Sequence, residues 1–264
     1  MRTLSRAVRT LDKGGSALPI PFTTLTAQHI SIRRGEVHMI AAAPGVGKSA
    51  IALTIAMQSK VPTLYVSADT TEATMAIRAL AALTGQAQDI VEEQLSADPV
   101  GAAALLREHT SHIRWMFDPS PTLNDLQDEL SAYRMLQGED PTLLIIDNAG
   151  DITFDAGDEF ASLRALMREM KWFSRDTNAA VVVLHHTSES FQGTQDHPCP
   201  PRSYIHGKVS QVPAVILTLG VPTPGFIAVA AVKNRYGKAD ISGKTSIWLE
   251  FEGATMSVRD WYSQ

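Results

Sequence analysis

Apolar positions in this chain fall into short unbroken runs, joined by stretches in which they recur every three to four residues. Unbroken runs of roughly four to eight are the pattern of strands buried on both faces, and the helical spacing marks the segments that cover them. "EVHMIAA" (36–42), "TLYVSA" (63–68), "IRWMF" (113–117), "TLLIID" (142–147) and "AAVVVLHH" (179–186) read as strands. "KSAIALTIAMQ" (48–58), residues 71–84, "TLNDLQDELSAYRML" (122–136) and residues 158–177 read as helices between them. The alternation predicts an α/β domain with a mainly parallel central sheet flanked by helices.

Past residue 186 the pattern changes. "TSESFQGTQDHPCPPRS" (187–203) has no periodicity and three prolines, the mark of a functional or disordered loop. "AVILTLG", "FIAVAAVKN" and "TSIWLEFEG" then follow as successive strands with turns between them, which adds antiparallel C-terminal strands to the sheet. No internal repeat interrupts the chain, so residues 19–264 read as one core and residues 1–18 as an N-terminal extension. In that extension Leu4, Val8 and Leu11 share one helical stripe, too short to fold without a surface to dock on.

Composition narrows the picture only a little. The 264 residues are 44% hydrophobic and 19% charged, and no apolar run is long enough to span a bilayer, so neither a membrane location nor a membrane partner is expected. The basic start "MRTLSRAVRTLDKGG" lacks the apolar centre of a secretory signal. Cys199 stands alone, which rules out an intrachain disulfide and a cysteine-based zinc site and fits a reducing cytoplasm. The net charge of −5 argues against a general polyanion binder. Its distribution is uneven: residues 67–170 hold 19 acidic and 6 basic side chains, whereas positive charge gathers at the two chain ends.

"APGVGKSA" changes the picture most. It leaves a strand and opens a helix, the setting in which backbone N–H groups and a helix N-terminus converge on phosphates. Ala43, Pro44, Gly45, Val46, Gly47, Lys48, Ser49 and Ala50 form the candidate nucleotide loop. Lys48 would face the β- and γ-phosphates of ATP, and the Ser49 hydroxyl would ligate Mg²⁺. The first glycine of the usual loop pattern is Ala42 here, a position that ends the strand and needs no positive φ. Asp147, closing "TLLIID", lies at the carboxyl end of an apolar strand where ligands bind in open α/β sheets, and would hold Mg²⁺ through water. His185 and His186 alternate across their strand and cannot share one metal, with His185 read as solvent-facing.

These segments resemble the RecA-like core of DnaB-type and RepA-type hexameric replicative DNA helicases. The likeness runs through "HMIAAAPGVGKSAIALTIA", "LYVSADTTEATMAIRALAAL", "LLIIDNAGDI", "VVVLHHTSE", "GKVSQVPAVILTL" and "VAAVKNRYG" in the family's order, over roughly residues 20–258. It implies an ATP hydrolase with Asp69 as the carboxylate that orients the attacking water. Asp69 is one methylene shorter than the usual Glu, and Glu72 or a plain helix cap at Asp69 are the alternatives. It implies His186 as a sensor of the γ-phosphate. It implies Lys233 and Arg235 of "KNRYG" as cations reaching a neighbour's γ-phosphate in a homo-oligomer, a hexamer in this family; two solvated charges on an edge strand are the alternative.

The resemblance also implies single-stranded DNA in a central channel lined by residues near 150–159 and 188–210. The first stretch is acidic, so Arg202, Gly207 and Lys208 of the second are the candidate phosphate contacts, with Tyr204 and His206 beside them. The 1–18 extension would dock on the adjacent subunit, as a linker helix does, or on its own domain. Two activities fit this set: an ATP-driven helicase acting as a ring, or a core-only RecA-like recombination protein that anneals or exchanges strands.

Overall fold

The computed structural model describes residues 15–153, 159–188 and 190–262, without the side chains of Glu159 and Lys208. Most of the 1–18 extension, with its Leu4, Val8 and Leu11 stripe, therefore lies outside the described residues. Residues 15–18 are held to the core instead: the Leu18 N–H donates to the Ile32 carbonyl at 2.7 Å, and the Leu18 side chain is buried.

Among the described residues nine strands form one sheet. In chain order they are β1 (Val37–Ala42), β2 (Thr63–Ser67), β3 (Ile113–Phe117), β4 (Leu143–Asp147), β5 (Ala180–His186), β6 (Val215–Gly220), β7 (Phe226–Asn234), β8 (Ile247–Glu252) and β9 (Ser257–Asp260). Their spatial order is β3-β2-β4-β5-β1-β6-β7-β8-β9, parallel from β3 to β6 and antiparallel from β6 onward. This is the mainly parallel sheet with antiparallel C-terminal strands that the pattern predicts. β1, β2 and β4 are buried at every residue because helices cover both faces.

One face packs under α1 (Thr23–Ala27), α2 (Lys48–Ser59) and α3 (Glu72–Thr84), the other under α6 (Leu123–Gln137) and α7 (Glu159–Thr177). α2 is apolar nearly all round and lies buried from Ala50 to Met57, as a helix without a polar face must. α3 starts at Thr71, whose hydroxyl accepts from the Thr74 N–H, and stops at Gly85 in the left-handed region. α6 opens on a reciprocal Thr122–Asp125 capping box.

Four elements lie beyond the predicted set, the short α1 among them. α4 (Gln88–Ala97) and α5 (Pro99–Thr110) fill residues between α3 and β3, with Val91 buried against Leu80 and Ala81. Their apolar stripe is thin, and α5 buries no residue fully. β9 is only four residues long, but its Asp260 carboxylate caps α1: it accepts from the Thr23 N–H at 2.7 Å and the Thr24 N–H at 3.2 Å. A carboxylate at a helix N-terminus also meets the positive end of the helix dipole, so the last strand anchors the first helix.

The aperiodic 187–203 stretch is packed, not loose. Pro198, Cys199 and Pro200 are buried, the His197 Nε2 lies 2.7 Å from the Ser242 carbonyl, and the Arg202 N–H donates to Ile241 at 3.0 Å. The Cys199 thiol is pushed up to about 12 by burial, which keeps it protonated. At the end of β6, a Cβ on Gly220 would collide with the Pro198 carbonyl oxygen. Gly220→Ala is therefore expected to displace this strap and cost about 1–3 kcal/mol, the usual penalty of overpacking, measured by chemical denaturation. A variant as stable as the parent would show that the strap does not rest on β6.

Candidate nucleotide-binding site

Register brings the site together. In parallel pairing Ala42 of β1 stands opposite His186 of β5, and Ser67 of β2 opposite Asp147 of β4. The carboxyl ends of four strands thus deliver the phosphate loop, His186, Asp147 and, two residues past β2, Asp69. They border a cleft of ≈ 330 Å³ lined by Pro44, Gly45, Gly47, Lys48, Ser49, Ala50, Asp69, Asp147 and His186. Ala43 lends its carbonyl to Lys48, and Val46 packs back onto the core.

The loop has the shape that phosphate needs. Gly45 and Gly47 adopt φ of +76° and +108°, and a Cβ on Gly47 would lie 2.5 Å from Ile227 Cδ1, so only glycine turns here without a clash. Ala42 stays in the strand, buried and without positive φ, as expected of that position.

Lys48 is buried, and its Nζ donates to the carbonyls of Ala42 at 3.0 Å and Ala43 at 3.1 Å. Burial lowers its pKa, while the nearby Asp147 and Asp69 carboxylates act to raise it. Asp147 is held above the usual carboxylate range chiefly by burial, with the Asp69 charge adding to the rise. Hydrogen bonds from the Ser49 hydroxyl and the Tyr65 hydroxyl oppose it. Tyr65 is fully buried and reaches Asp147 Oδ2 at 2.9 Å.

A divalent cation fits this donor set. Ser49 and Asp147 are hydrogen-bonded to each other, and the crowding of Asp147 and Asp69 is the kind of repulsion a bound cation offsets. No group of three or more His, Cys, Asp or Glu suited to a metal ion occurs among the described residues. Two protein ligands with phosphate and water completing the shell is how Mg²⁺ is held beside nucleotides.

Other expected residues fall unevenly. Glu72 is exposed at the start of α3 and does not line the cleft, whereas Asp69 does. His186 is half-buried, its Nδ1 3.3 Å from Lys48 Nζ. His185, expected to face solvent, is 3% exposed because β5 is central and covered on both sides. Its Nε2 lies 3.3 Å from the His206 carbonyl, and burial lowers its pKa to about 4, so it is neutral at physiological pH.

Lys233 and Arg235 do not share one strand. β7 ends at Asn234, and its register shifts between Ile216 and Leu217 of β6. Lys233 Nζ donates to the Ser210 and Gln211 carbonyls, both at 2.8 Å, and Arg235 Nη1 is 3.5 Å from Glu36 Oε2. Arg202 has a half-buried side chain, Tyr204 packs edge-on against Phe191, and Gly207 adopts φ of +77° under Leu163 and Phe160 of α7. The Lys208 side chain and residues 154–158, with the acidic Asp155 and Asp158, lie outside the described residues.

Several lining residues had no motif to reveal them. Phe251 of β8 and Met256 of the turn between β8 and β9 are folded over the loop by topology alone, and Arg78 comes from α3. Tyr65 and Asn148 flank the motifs directly, and the polar residue after Asp147 was a readable sign.

A phosphate loop at the carboxyl edge of a parallel sheet, with a buried lysine and a carboxylate at the end of the next strand but one, defines a P-loop nucleotide-binding domain. A family model described as AAA domain matches residues 28–190, more than half of the sequence, and the chain belongs to that family of ATPase domains. It is 36% identical to the Gene 65 protein of Mycobacterium phage L5, over 98% of this chain and 99% of that one. It is 33% identical to the Gene 65 protein of Mycobacterium phage D29, over 84% and 98%. Among solved structures it resembles a separately solved ATPase domain, with a TM-score of 0.78 at 16% identity over 98% and 96% of the two chains. A DnaB-like replicative helicase, described together with its interactions with primase, gives 0.77 at 14% identity, over 98% of this chain and 65% of that one. The fold is accordingly the RecA-like fold of these ATPase domains. Among the described residues no helix is long and apolar enough to cross a membrane.

Tyr65→Phe keeps the ring and removes one donor from Asp147. The carboxylate then holds its proton to higher pH, so the pH at which Mg²⁺–nucleotide binding is half lost is expected to rise. Mg²⁺ affinity near neutrality should fall by roughly tenfold, the scale of one hydrogen bond to a charged group. Titrating Mg²⁺ across pH 5–8 reads both effects, and an unmoved acid limb would reduce Tyr65 to packing.

Proposed function

We propose that this chain is an ATP-driven motor that moves along single-stranded DNA and separates duplex strands, working as a ring of identical copies. ATP and Mg²⁺ would bind the cleft, and hydrolysis would be completed between copies.

One observation carries this reading. Arg235 sits beside Glu36 at the start of β1, whereas the phosphate loop leaves the end of β1. The strand is six residues long, so the two are separated by about 20 Å at the rise of an extended chain. Arg235 cannot reach the phosphates of its own chain. A role for it in transition-state stabilisation requires a neighbour's cleft, and a head-to-tail contact between copies supports a ring where the rotation closes.

In this reading Lys48 neutralises the β- and γ-phosphates, and Ser49 and Asp147 hold Mg²⁺, which screens the phosphate charge. Asp69 orients the attacking water, and Lys233 joins Arg235 at the neighbour's γ-phosphate. The apolar wall of Phe251 and Met256 offers a surface for the base. The structural likeness to a DnaB-like replicative helicase agrees with a replication role. A cytoplasmic location follows from the same role.

Mixing two inactive variants tests the shared site. Lys48→Ala and Arg235→Ala should each reduce ATPase activity by about 10³-fold or more. An equal mixture should regain about a quarter of the parent activity, because one interface in four then pairs an intact cleft with an intact arginine. An active Arg235→Ala variant, or a mixture that stays silent, would sink the shared site.

Strand displacement on forked DNA, with ATP and Mg²⁺, reads the motor itself. For DNA contact, Arg202 and Lys208 are the assigned cations, together with the backbone at Gly207. Replacing both side chains with Ala should weaken single-strand binding and lower its salt slope by about 1.4, two phosphate contacts' worth. An unchanged slope would move the DNA path elsewhere.

A further inference from the structure

Lys48 and His186 approach each other at the base of the cleft, and a third side chain decides what they present to it. Asn148 follows Asp147 and is itself buried. Its Oδ1 accepts from the Gly150 N–H at 2.8 Å, and its Nδ2 lies 3.0 Å from Asp151 Oδ2. Both contacts agree on one orientation of the amide, with oxygen toward the donor and nitrogen toward the carboxylate.

Nδ2 makes a second contact, to His186 Nε2 at 3.1 Å. An amide nitrogen only donates, so Nε2 must accept and carries no proton. Burial and the Lys48 charge lower the pKa of His186, which favours the neutral ring at physiological pH. A neutral ring has one proton, and it is left on Nδ1. Nδ1 faces Lys48 Nζ at 3.3 Å, and Nζ already gives two of its three protons to carbonyls. Two donors therefore meet without an acceptor between them.

We infer that Asn148 is a positioning residue that places the His186 proton on Nδ1, so that imidazole and Lys48 offer two donors to one anionic oxygen, the terminal phosphate oxygen of a nucleoside triphosphate. This rests on the reading of His186 as the γ-phosphate contact. A nucleoside diphosphate lacks that oxygen, so the pair discriminates the two states of the nucleotide. On its other side Asn148 holds the Gly150 N–H and Asp151, in the turn Ala149–Asp151 that leads toward α7. Phosphate, imidazole, amide and turn thus form one line of contacts, and a change at the first is felt at the last. Without the amide, Nε2 is free to take the proton. Nδ1 would then accept from Lys48, spending a phosphate donor on the imidazole.

Nitrogen NMR of the full chain with ¹⁵N-labelled histidine reads the tautomer directly, before any nucleotide is added. The parent protein is expected to show a protonated Nδ1 and a bare Nε2 at His186, and adding Mg²⁺ with a non-hydrolysable ATP analogue should keep that state. In Asn148→Ala the proton should move to Nε2. The same variant should lose about 100-fold in kcat, the scale of one misplaced oxyanion donor, while ADP affinity stays within about twofold. A proton on Nε2 in the parent overturns the inference whatever the variant does, and so does an Asn148→Ala variant with unchanged tautomer and kcat. A parent with the proton on Nδ1 but no ATP turnover sinks the motor reading and leaves the Asn148 assignment standing.

Discussion

β1 governs the arrangement of everything that carries charge. It is the strand between β5 and β6, buried at all six positions, and each of its ends has a separate task. The carboxyl end turns into the phosphate loop and, through its pairing with β5, sets His186 beside Lys48. The amino end presents Glu36, which meets Arg235 from the far end of β7. Loss of one residue from a strand slips its register and turns the following side chains to the other face, so the separation of these two ends is tied to the core. The residues that border the cleft gather at one end of that span, and Arg235 lies at the other.

Burial then decides which groups near the cleft carry charge. Lys48, Asp147 and Tyr65 are all buried, and each is shifted toward its neutral form by desolvation. Lys48 and Asp147 each act against the other's shift, so the charged pair is sustained by proximity, and the hydroxyls of Ser49 and Tyr65 strengthen the carboxylate. Breaking such a set at one member is costly because the remaining charge stays buried and uncompensated. The histidines on β5 behave differently. Neither has a carboxylate as its main partner, and burial leaves both favouring the neutral ring. A neutral imidazole can donate from one nitrogen while accepting at the other, which is what a link between a phosphate and a backbone turn requires.

The strands and the phosphate loop were legible because their signals are local. An apolar run bounded by polar residues predicts a buried strand, and glycines before Lys48 predict a loop that approaches phosphate. α4 and α5 were illegible because neither has a full apolar stripe, although Asp98 before Pro99 is a sound helix start. His185 was misplaced because alternation along a strand assumes one wet face, and a central strand has none. The end of β7 was not legible either: the strand stops at Asn234, so Lys233 lies on it and Arg235 just past it. Phe251 and Met256 reach the cleft through contacts across the whole chain, which no local window contains.

The resting positions of the two late cations bear on how a shared site would assemble. Arg235 and Glu36 are 3.5 Å apart, with Arg235 exposed and Glu36 partly so, and their ion pair contributes at most about 1 kcal/mol. Lys233 is held by two carbonyls, but burial and the like charges of Arg235 and Arg202 lower its pKa to about 8. A cation crowded by others of its own sign gains more from an approaching anion than an isolated one does. The pair is electrostatically short of negative charge. A triphosphate in a neighbouring cleft would supply it, which would make nucleotide occupancy and contact between copies favour each other, since any ligand bound by two chains strengthens their association.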